Sequence, residues 1–120
     1  MWSMSDDRPW TVRFADILDA AAKIDEYTGG FTEKDFLIDG RTVDAVARNI
    51  IIIGEASARL DEDVRERFPD VPWGRIIGMR NRLVHEYFRI DDSVVCEVAA
   101  DYVPILTSRL QSYLASTDAT

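Results

Sequence analysis

The segment VDAVARNIIIIGEA, residues 43–56, decides the class of fold. Its four consecutive isoleucines, Ile50 to Ile53, would suit a buried strand, because β-branched residues favour strands. On both sides of this run, however, apolar residues recur at the three- and four-residue intervals of a helix. They are Val43, Val46, Ala47, Ile50, Ile53 and Ala56. We therefore predict a helix over residues 41–60. A helix apolar on every side must be covered on more than one face, and a second subunit is a natural cover.

Helical spacing continues through most of the remaining sequence and predicts an all-α fold. Further helices are predicted at residues 9–27, at 33–39, from 72 or 73 to 85, and at 92–114, with a short helix or turn at residues 61–68. Thr32, followed by Asp35, is typical of a capping box that begins the second helix. The pair Gly29-Gly30 ends the first helix. Pro104 lies inside the last helix, where we expect a kink or a break because proline has no backbone N–H.

Length and composition indicate one domain in a reducing compartment. The 120 residues suit a single domain with a frayed tail at residues 116–120, and 47% apolar residues can build its core. The single cysteine, Cys96, excludes an internal disulfide and is expected to be a small buried hydrophobe. No apolar stretch is long enough to cross a membrane, and the N-terminus lacks a basic-then-apolar export signal. We therefore expect a cytoplasmic protein that makes no membrane contact.

Charge is unevenly distributed along the chain. A formal net charge of -8 argues against a broad surface for nucleic acid, since such surfaces are usually basic. Residues 75–89 are the exception, because they hold four of the twelve arginines, the only histidine and a single acid. The arginines are Arg75, Arg80, Arg82 and Arg89. Arginine binds phosphate through paired N–H donors, so this segment is a candidate anion-binding site on an acidic protein.

The predicted helix at residues 72–85 brings some of these side chains together and separates others. Asn81 and His85 are four residues apart and share a face. Arg80 and His85 are five apart and diverge at about 100° per residue, although the long Arg80 side chain or a second subunit could bring them together. Glu55 could pair with Arg80, or it could stabilise its own helix or an interface. The alternative is that the histidine is a surface residue and the arginines a solvated face.

Two blocks of the sequence resemble the HepT-like branch of the HEPN superfamily, the DUF86 type. Residues 43–56 resemble the second long helix of that family, and residues 71–88, VPWGRIIGMRNRLVHEYF, resemble its active-site helix. The family signature is an arginine, four residues, a histidine, one residue and a tyrosine, which here are Arg80, His85 and Tyr87. The resemblance implies an antiparallel up-and-down bundle of four to five helices that forms a two-fold dimer.

The resemblance also implies an activity, metal-independent endoribonuclease cleavage without a cofactor. In such a reaction the 2′-hydroxyl of RNA attacks the adjacent phosphorus, one group removes its proton, and another protonates the leaving 5′-oxygen. His85 can act as acid or base near neutral pH, and Arg80 can hold the phosphate and stabilise its charge. Asn81 would orient the phosphate or the histidine ring, and a dimer would bring a second His85. The other arginines of residues 75–89 would bind RNA phosphates.

Systems that the chain resembles pair the ribonuclease toxin with a minimal nucleotidyltransferase (MNT) antitoxin, as a type VII HEPN/MNT toxin–antitoxin system. The resemblance implies that this partner transfers AMP to Tyr87, adding charge and bulk beside Arg80 and His85 and so blocking RNA. Alternatively, Tyr87 and Phe88 only anchor the helix end on the core. The whole chain could instead be a non-catalytic module that binds nucleotide or substrate beside a nucleotidyltransferase, which the net charge of -8 favours. A third alternative is a purely structural helical dimer.

Overall fold

The computed structural model describes residues 9–118, with side chains described as far as residue 116. Within this range the chain forms helices and turns and no strand, which confirms the all-α prediction. The helices are α1 (Trp10–Thr28), α2 (Glu33–Leu37), α3 (Gly40–Ala58), α4 (Glu62–Arg65), α5 (Trp73–His85), α6 (Asp92–Glu97) and α7 (Val103–Asp118). Residues 1–8, on which the export-signal prediction rests, and residues 119–120 of the predicted frayed tail lie outside the described range.

The helix α3 is central, with α1 packed along one side and α5 along the other. The isoleucine run is helical, as predicted, and Ile50 and Ile53 are fully buried in the core. Ile51 and Ile52 are partly buried against the same core. The apolar circumference of α3 is therefore covered largely by helices of its own chain, and it does not by itself require a second subunit.

An aromatic cluster joins the two ends of the chain to its middle. Phe14 on α1 is fully buried and meets three other rings edge-on. The ring-centre distances are 5.2 Å to Trp10, 5.8 Å to Phe68 and 6.1 Å to Tyr113. Truncation of a buried phenylalanine to alanine costs roughly 3–5 kcal/mol, so this cluster holds α1 and α7 firmly against the loop before α5.

Polar side chains cap the beginnings of α2 and α3. The Thr32 hydroxyl accepts the Asp35 N–H at 3.1 Å, and the Asp35 carboxylate accepts the Thr32 N–H at 3.0 Å, which confirms the capping box. The helix α2 ends two residues earlier than predicted because Asp39 instead caps α3, accepting the N–H of Thr42 at 3.2 Å. Gly30 has a φ of 80°, a left-handed conformation that favours glycine and turns the chain away from α1.

The last helical run is interrupted just before Pro104, where a kink or break was predicted. Pro104 has no N–H to bond the carbonyl of Ala100, four residues earlier. Val98–Tyr102 form a π-helical turn instead, and the N–H of Val103 bonds the carbonyl of Val98, five residues earlier. The α7 helix then runs to Asp118, four residues beyond the predicted end at residue 114. Among the described residues, no helix is both long and apolar enough to span a membrane.

Candidate active site

The helix that carries the candidate site, α5, has both of its predicted ends. At its start, the Trp73 indole N–H donates to the carbonyls of Arg65 (3.1 Å) and Phe68 (3.2 Å), which anchors the first turn on the preceding loop. At its end, the N–H of Glu86 bonds the carbonyl of Arg82 at 2.7 Å, and the backbone then leaves α-helical geometry, as predicted. A 3₁₀ turn, Tyr87–Arg89, follows.

The Arg80 guanidinium is held from two sides. Its Nε donates to Glu55 Oε1 at 3.1 Å, and its Nη2 makes a second, closer hydrogen bond and ion pair with the same oxygen. Its Nη1 donates to Asn81 Oδ1 at 2.7 Å. The pair that the sequence suggested between Glu55 and Arg80 is therefore present. Because the Arg80 side chain is only 26% exposed, these contacts fix the orientation of its planar guanidinium group.

The contact between α3 and α5 at this point depends on Gly54. A Cβ on Gly54 would overlap the Cβ of Arg80 and lie 2.8 Å from its Cγ. It would also lie 3.3 Å from the carbonyl oxygen of Ile76. The missing side chain lets α5 approach α3 closely enough for Arg80 to reach Glu55. A glycine inside a helix normally lowers its stability by about 1 kcal/mol relative to alanine. A glycine inside the predicted helix at residues 41–60 is therefore the sequence feature that could have indicated a close helix crossing here.

Glu55 also lies near a second arginine, since its Oε2 is 3.8 Å from Nε of Arg59. The carboxylate thus stands between Arg80 and Arg59. It lowers the local positive charge that residues 75–89 alone would give. The candidate anion site consequently contains an acidic group, Glu55, which lies outside residues 75–89 and was not included when the charges of that segment were counted.

His85 is the last residue of α5 and is exposed. In the described part of the chain, its ring makes no hydrogen bond or ion pair, so both ring nitrogens are available to a substrate. Asn81 shares its helical face, but the Asn81 side-chain oxygen is used by Arg80 at 2.7 Å. The structure therefore places Asn81 where it orients Arg80, and its contact with phosphate or histidine stays a prediction.

Tyr87 is tied to the beginning of α3, because its hydroxyl donates to Oδ1 of Asp44. This hydrogen bond, followed by burial and by the negative charges of Asp44 and Asp92, raises the pKa of Tyr87 to about 12. The neighbouring Phe88 is 99% exposed, so the alternative that it anchors the helix end on the core is wrong. Tyr87 is anchored through its hydroxyl group, while the residue stays 39% exposed. No local sequence signal links residues 44 and 87.

The arginines that are clustered in sequence separate in space. Arg80 faces α3, whereas Arg75 and Arg82 line a cavity of about 230 Å³ between α5 and the π turn. Arg89 is exposed on the 3₁₀ turn beyond the end of α5. The structure does not bring all four into one patch, because α5 distributes them around its circumference.

The single cysteine and possible metal ligands are the other candidate reactive groups in the sequence. Cys96 is partly buried against the core, and burial, with smaller contributions from Glu33 and Asp101, raises the pKa of its thiol. Between residues 9 and 118, no group of three or more His, Cys, Asp and Glu side chains is arranged to hold a metal ion.

Comparisons with known proteins place this helical bundle in one family. The sequence model of the HepT-like family, described as ribonuclease HepT-like, matches residues 17–113. The candidate RNase MJ1380 of Methanocaldococcus jannaschii is 36% identical over 96 residues, which are 80% of this chain and 88% of that protein. A protein of Thermococcus cleftensis named "Probable ribonuclease HepT" is 35% identical over 96 residues, 80% of this chain and 87% of that protein. No solved structure is significantly similar. The chain therefore belongs to the HepT-like ribonuclease family, the family that its two sequence blocks resemble.

Proposed function

We propose that this ribonuclease is the toxin of a type VII HEPN/MNT toxin–antitoxin system and cleaves cytoplasmic RNA internally without a metal ion. One observation carries the proposal. At the end of α5, an arginine with a fixed guanidinium, Arg80, lies five residues from an exposed histidine, His85, whose ring is unpartnered within the described chain. Membership of the HepT-like family supports the same chemistry.

The proposed reaction is an internal phosphoryl transfer. The O2′–P bond forms and the P–O5′ bond breaks, leaving a 2′,3′-cyclic phosphate and a 5′-hydroxyl. One group takes the proton of the 2′-hydroxyl, and another gives a proton to the 5′-oxygen. His85 takes one of these roles, and Arg80 stabilises the charge that builds on the phosphoryl oxygens. Arginine has five N–H donors and three are used by Glu55 and Asn81, so two remain for the phosphate.

A two-fold dimer would supply the second proton-transfer group. Each chain has a single histidine, so a composite cleft with His85 from both subunits could divide the acid and base roles. Exposure at the end of α5 supports this arrangement, because His85, Val84 and Phe88 are all accessible to a second copy. Arg80 and His85 of one chain point in different directions around α5. In a dimer, His85 of one subunit could instead approach Arg80 of the other.

Control by a cognate MNT nucleotidyltransferase is the second part of the proposal. Transfer of AMP to Tyr87 would attach a phosphodiester and a nucleoside two residues from His85, excluding RNA by charge and bulk. The exposure of Tyr87 supports access by such a partner. In this step the Tyr87 oxygen would attack the α-phosphorus of ATP and displace pyrophosphate, and Asp44, which accepts the hydrogen bond of the Tyr87 hydroxyl, would take its proton.

A non-catalytic module that binds nucleotide beside a nucleotidyltransferase is the competing function. The net charge of -8 favours it, because broad surfaces that bind RNA are usually basic. The exposed His85 favours the ribonuclease, because a binding module does not need a free proton-transfer group.

Expression of wild type and His85→Ala separates these functions. His85 is exposed and makes no side-chain bond among the described residues, so the variant should fold. We expect wild type to arrest growth and degrade RNA, and purified wild type to leave cyclic phosphate ends in the presence of a chelator. The exposed Gln111→Ala variant in α7 is the matched control and should behave like wild type. If wild type and His85→Ala are equally harmless and leave RNA intact, the ribonuclease proposal is wrong.

Mass spectrometry of the chain co-expressed with a cognate MNT nucleotidyltransferase tests the second part. A mass increase of one AMP unit on the Tyr87 peptide is expected, and it should be absent from Tyr87→Phe. An unmodified Tyr87 under conditions that restore growth would contradict this control mechanism.

A further inference from the structure

The helix α5 presents its arginines on two different faces. Arg75 and Arg82 are seven residues apart, about two helical turns, so both project from one face, and Gly78 lies between them. Arg80 projects about 140° away from Arg75 and meets Glu55 instead. The face defined by Arg75, Gly78 and Arg82 is therefore separate from the Arg80 contact, although both belong to the same helix.

This face borders the cavity of about 230 Å³ that opens between α5 and the π turn. Met79 and Val98 are buried and give the cavity an apolar floor. Exposed side chains at its rim supply charge of both signs, positive from Arg82 and negative from Glu97. Pockets for drug-sized ligands span roughly 300–1,000 Å³, so this smaller cavity suits a single planar group with one charged substituent.

The π turn contributes an aromatic ring that positions one of the two arginines. The guanidinium carbon of Arg75 lies 5.3 Å from the centre of the Tyr102 ring, a cation–π contact. Arg82 makes no side-chain hydrogen bond or ion pair within residues 9–118, so its donors are free to take a ligand. It is also three residues from His85, which makes the two side chains neighbours on the helix surface.

We propose that this cavity is a nucleotide subsite that binds one unit of an RNA strand beside the scissile phosphate. The inference rests on the proposed ribonuclease function. Arg82 pairs with a phosphate of the strand, and the plane of the base lies on the apolar floor. The Glu97 carboxylate accepts an N–H from the edge of the base. Because Arg82 neighbours His85, successive phosphates of one strand can reach the subsite and the cleavage site together.

Filling the cavity tests the proposal without disturbing the fold. A Cβ at Gly78 meets nothing within 4 Å, so Gly78→Gln should fold while its side chain occupies the space between the two arginines. Gly74→Gln is the matched control, because Gly74 is on the same helix, is equally open and does not line the cavity. The probe is a short single-stranded 2′-O-methyl oligonucleotide, which cannot be cleaved because its 2′-oxygen is blocked.

Fluorescence anisotropy should give a Kd for this probe about tenfold weaker in Gly78→Gln and in Arg82→Ala, and unchanged in Gly74→Gln. Unchanged binding by folded Gly78→Gln would overturn the subsite. Loss of 5′-AMP binding in Gly78→Gln, with oligonucleotide binding intact, would also overturn it, because the cavity would then serve a free nucleotide.

The same variants separate this inference from the ribonuclease proposal. If wild type binds the probe through the cavity but cuts no RNA, the ribonuclease proposal is wrong and the nucleotide subsite is still supported. A wild type that cuts RNA with the same KM as Gly78→Gln contradicts the subsite and keeps the ribonuclease.

Discussion

Gly54 and Arg80 meet at the crossing of α3 and α5, where a Cβ on the glycine would overlap the Cβ of the arginine. The side chain proposed to hold the phosphate is therefore also part of the contact that sets the distance between two core helices. Changes in helix packing and changes in the site should consequently occur together at this point.

We expect Gly54→Ala to destabilise the protein by about 1–3 kcal/mol, because the added methyl group overpacks the crossing. The better helix propensity of alanine, worth about 1 kcal/mol, offsets only part of this loss. Urea unfolding measures the difference. Gly74→Ala is the control, since its new Cβ meets nothing within 4 Å, and it should be neutral or slightly stabilising. Equal unfolding midpoints for the two variants would contradict close packing at Gly54.

Replacement of Glu55 by glutamine should separate catalysis from stability. The ion pair with Arg80 is partly exposed, so Glu55→Gln should cost at most about 1 kcal/mol of folding free energy. Cleavage should fall by about tenfold or more, because Arg80 loses the carboxylate that directs its donors. Asp70→Asn, which breaks the exposed pair with Arg109 elsewhere, is the control and should cleave like wild type. Wild-type kinetics for Glu55→Gln would rule out a positioning role.

Tyr87 should titrate late at alkaline pH. Its pKa is raised from 10.0 to about 12, mainly by the hydrogen bond to Asp44, so this tyrosine stays protonated after an ordinary one has ionised. Because the folded-state pKa is the higher one, the contribution to stability is fully present below pH 10 and is lost as the pH rises through about 12. The ionisation of Tyr87 is identified by comparing tyrosinate absorbance during an alkaline titration of wild type and of Tyr87→Phe. In Asp44→Asn the pKa should move back towards 10.0; a step that does not move would show that Asp44 is not the cause.

Arg65 should be important for the end of α3. Its Nη1 donates to the carbonyls of Leu60 (2.8 Å), Ser57 (3.0 Å) and Ala58 (3.4 Å), which closes the last turn of the helix. Arg65→Met should therefore lose about 1–3 kcal/mol of stability, since charged donors to carbonyls are among the stronger hydrogen bonds. Thermal unfolding measures the loss. Arg67→Met, an exposed neighbour, should leave the midpoint unchanged, and an equal loss in both variants would argue against the capping contact.

Local structure could be predicted well from the sequence. The ends of α5 at Trp73 and His85 and the Thr32–Asp35 capping box depend on neighbouring residues, and the structure has them as predicted. Helical spacing on both sides of the isoleucine run was enough to choose helix over strand. Pro104 indicated an interruption, but sequence alone did not predict its form, a π turn in which the N–H of Val103 bonds the carbonyl of Val98.

Contacts between distant residues were harder to predict. Glu55 lies 25 residues from Arg80, and the pair was only one of several possibilities until the crossing at Gly54 was known. Asp44 and Tyr87 are 43 residues apart, and nothing in either segment points to the other. The arginines of residues 75–89 were treated as one cluster because sequence shows their number and not which side of α5 is covered. Helical spacing alone separates Arg75 and Arg82 from Arg80, whereas packing decides that the Arg80 side of α5 is the one that meets α3.

The central position of α3 has a consequence for how fast backbone amides exchange with solvent. This helix is packed between α1 and α5, so its amides around Ile50 and Ile53 should open only in global unfolding and exchange most slowly in deuterated water. The 3₁₀ turn at Tyr87–Arg89 is exposed and should exchange within the native state. Arg80 and Tyr87 each contact α3 through one side chain, at Glu55 and at Asp44. Amide exchange should therefore be slow in α3 and fast in the 3₁₀ turn. The proposed site lies between these two segments.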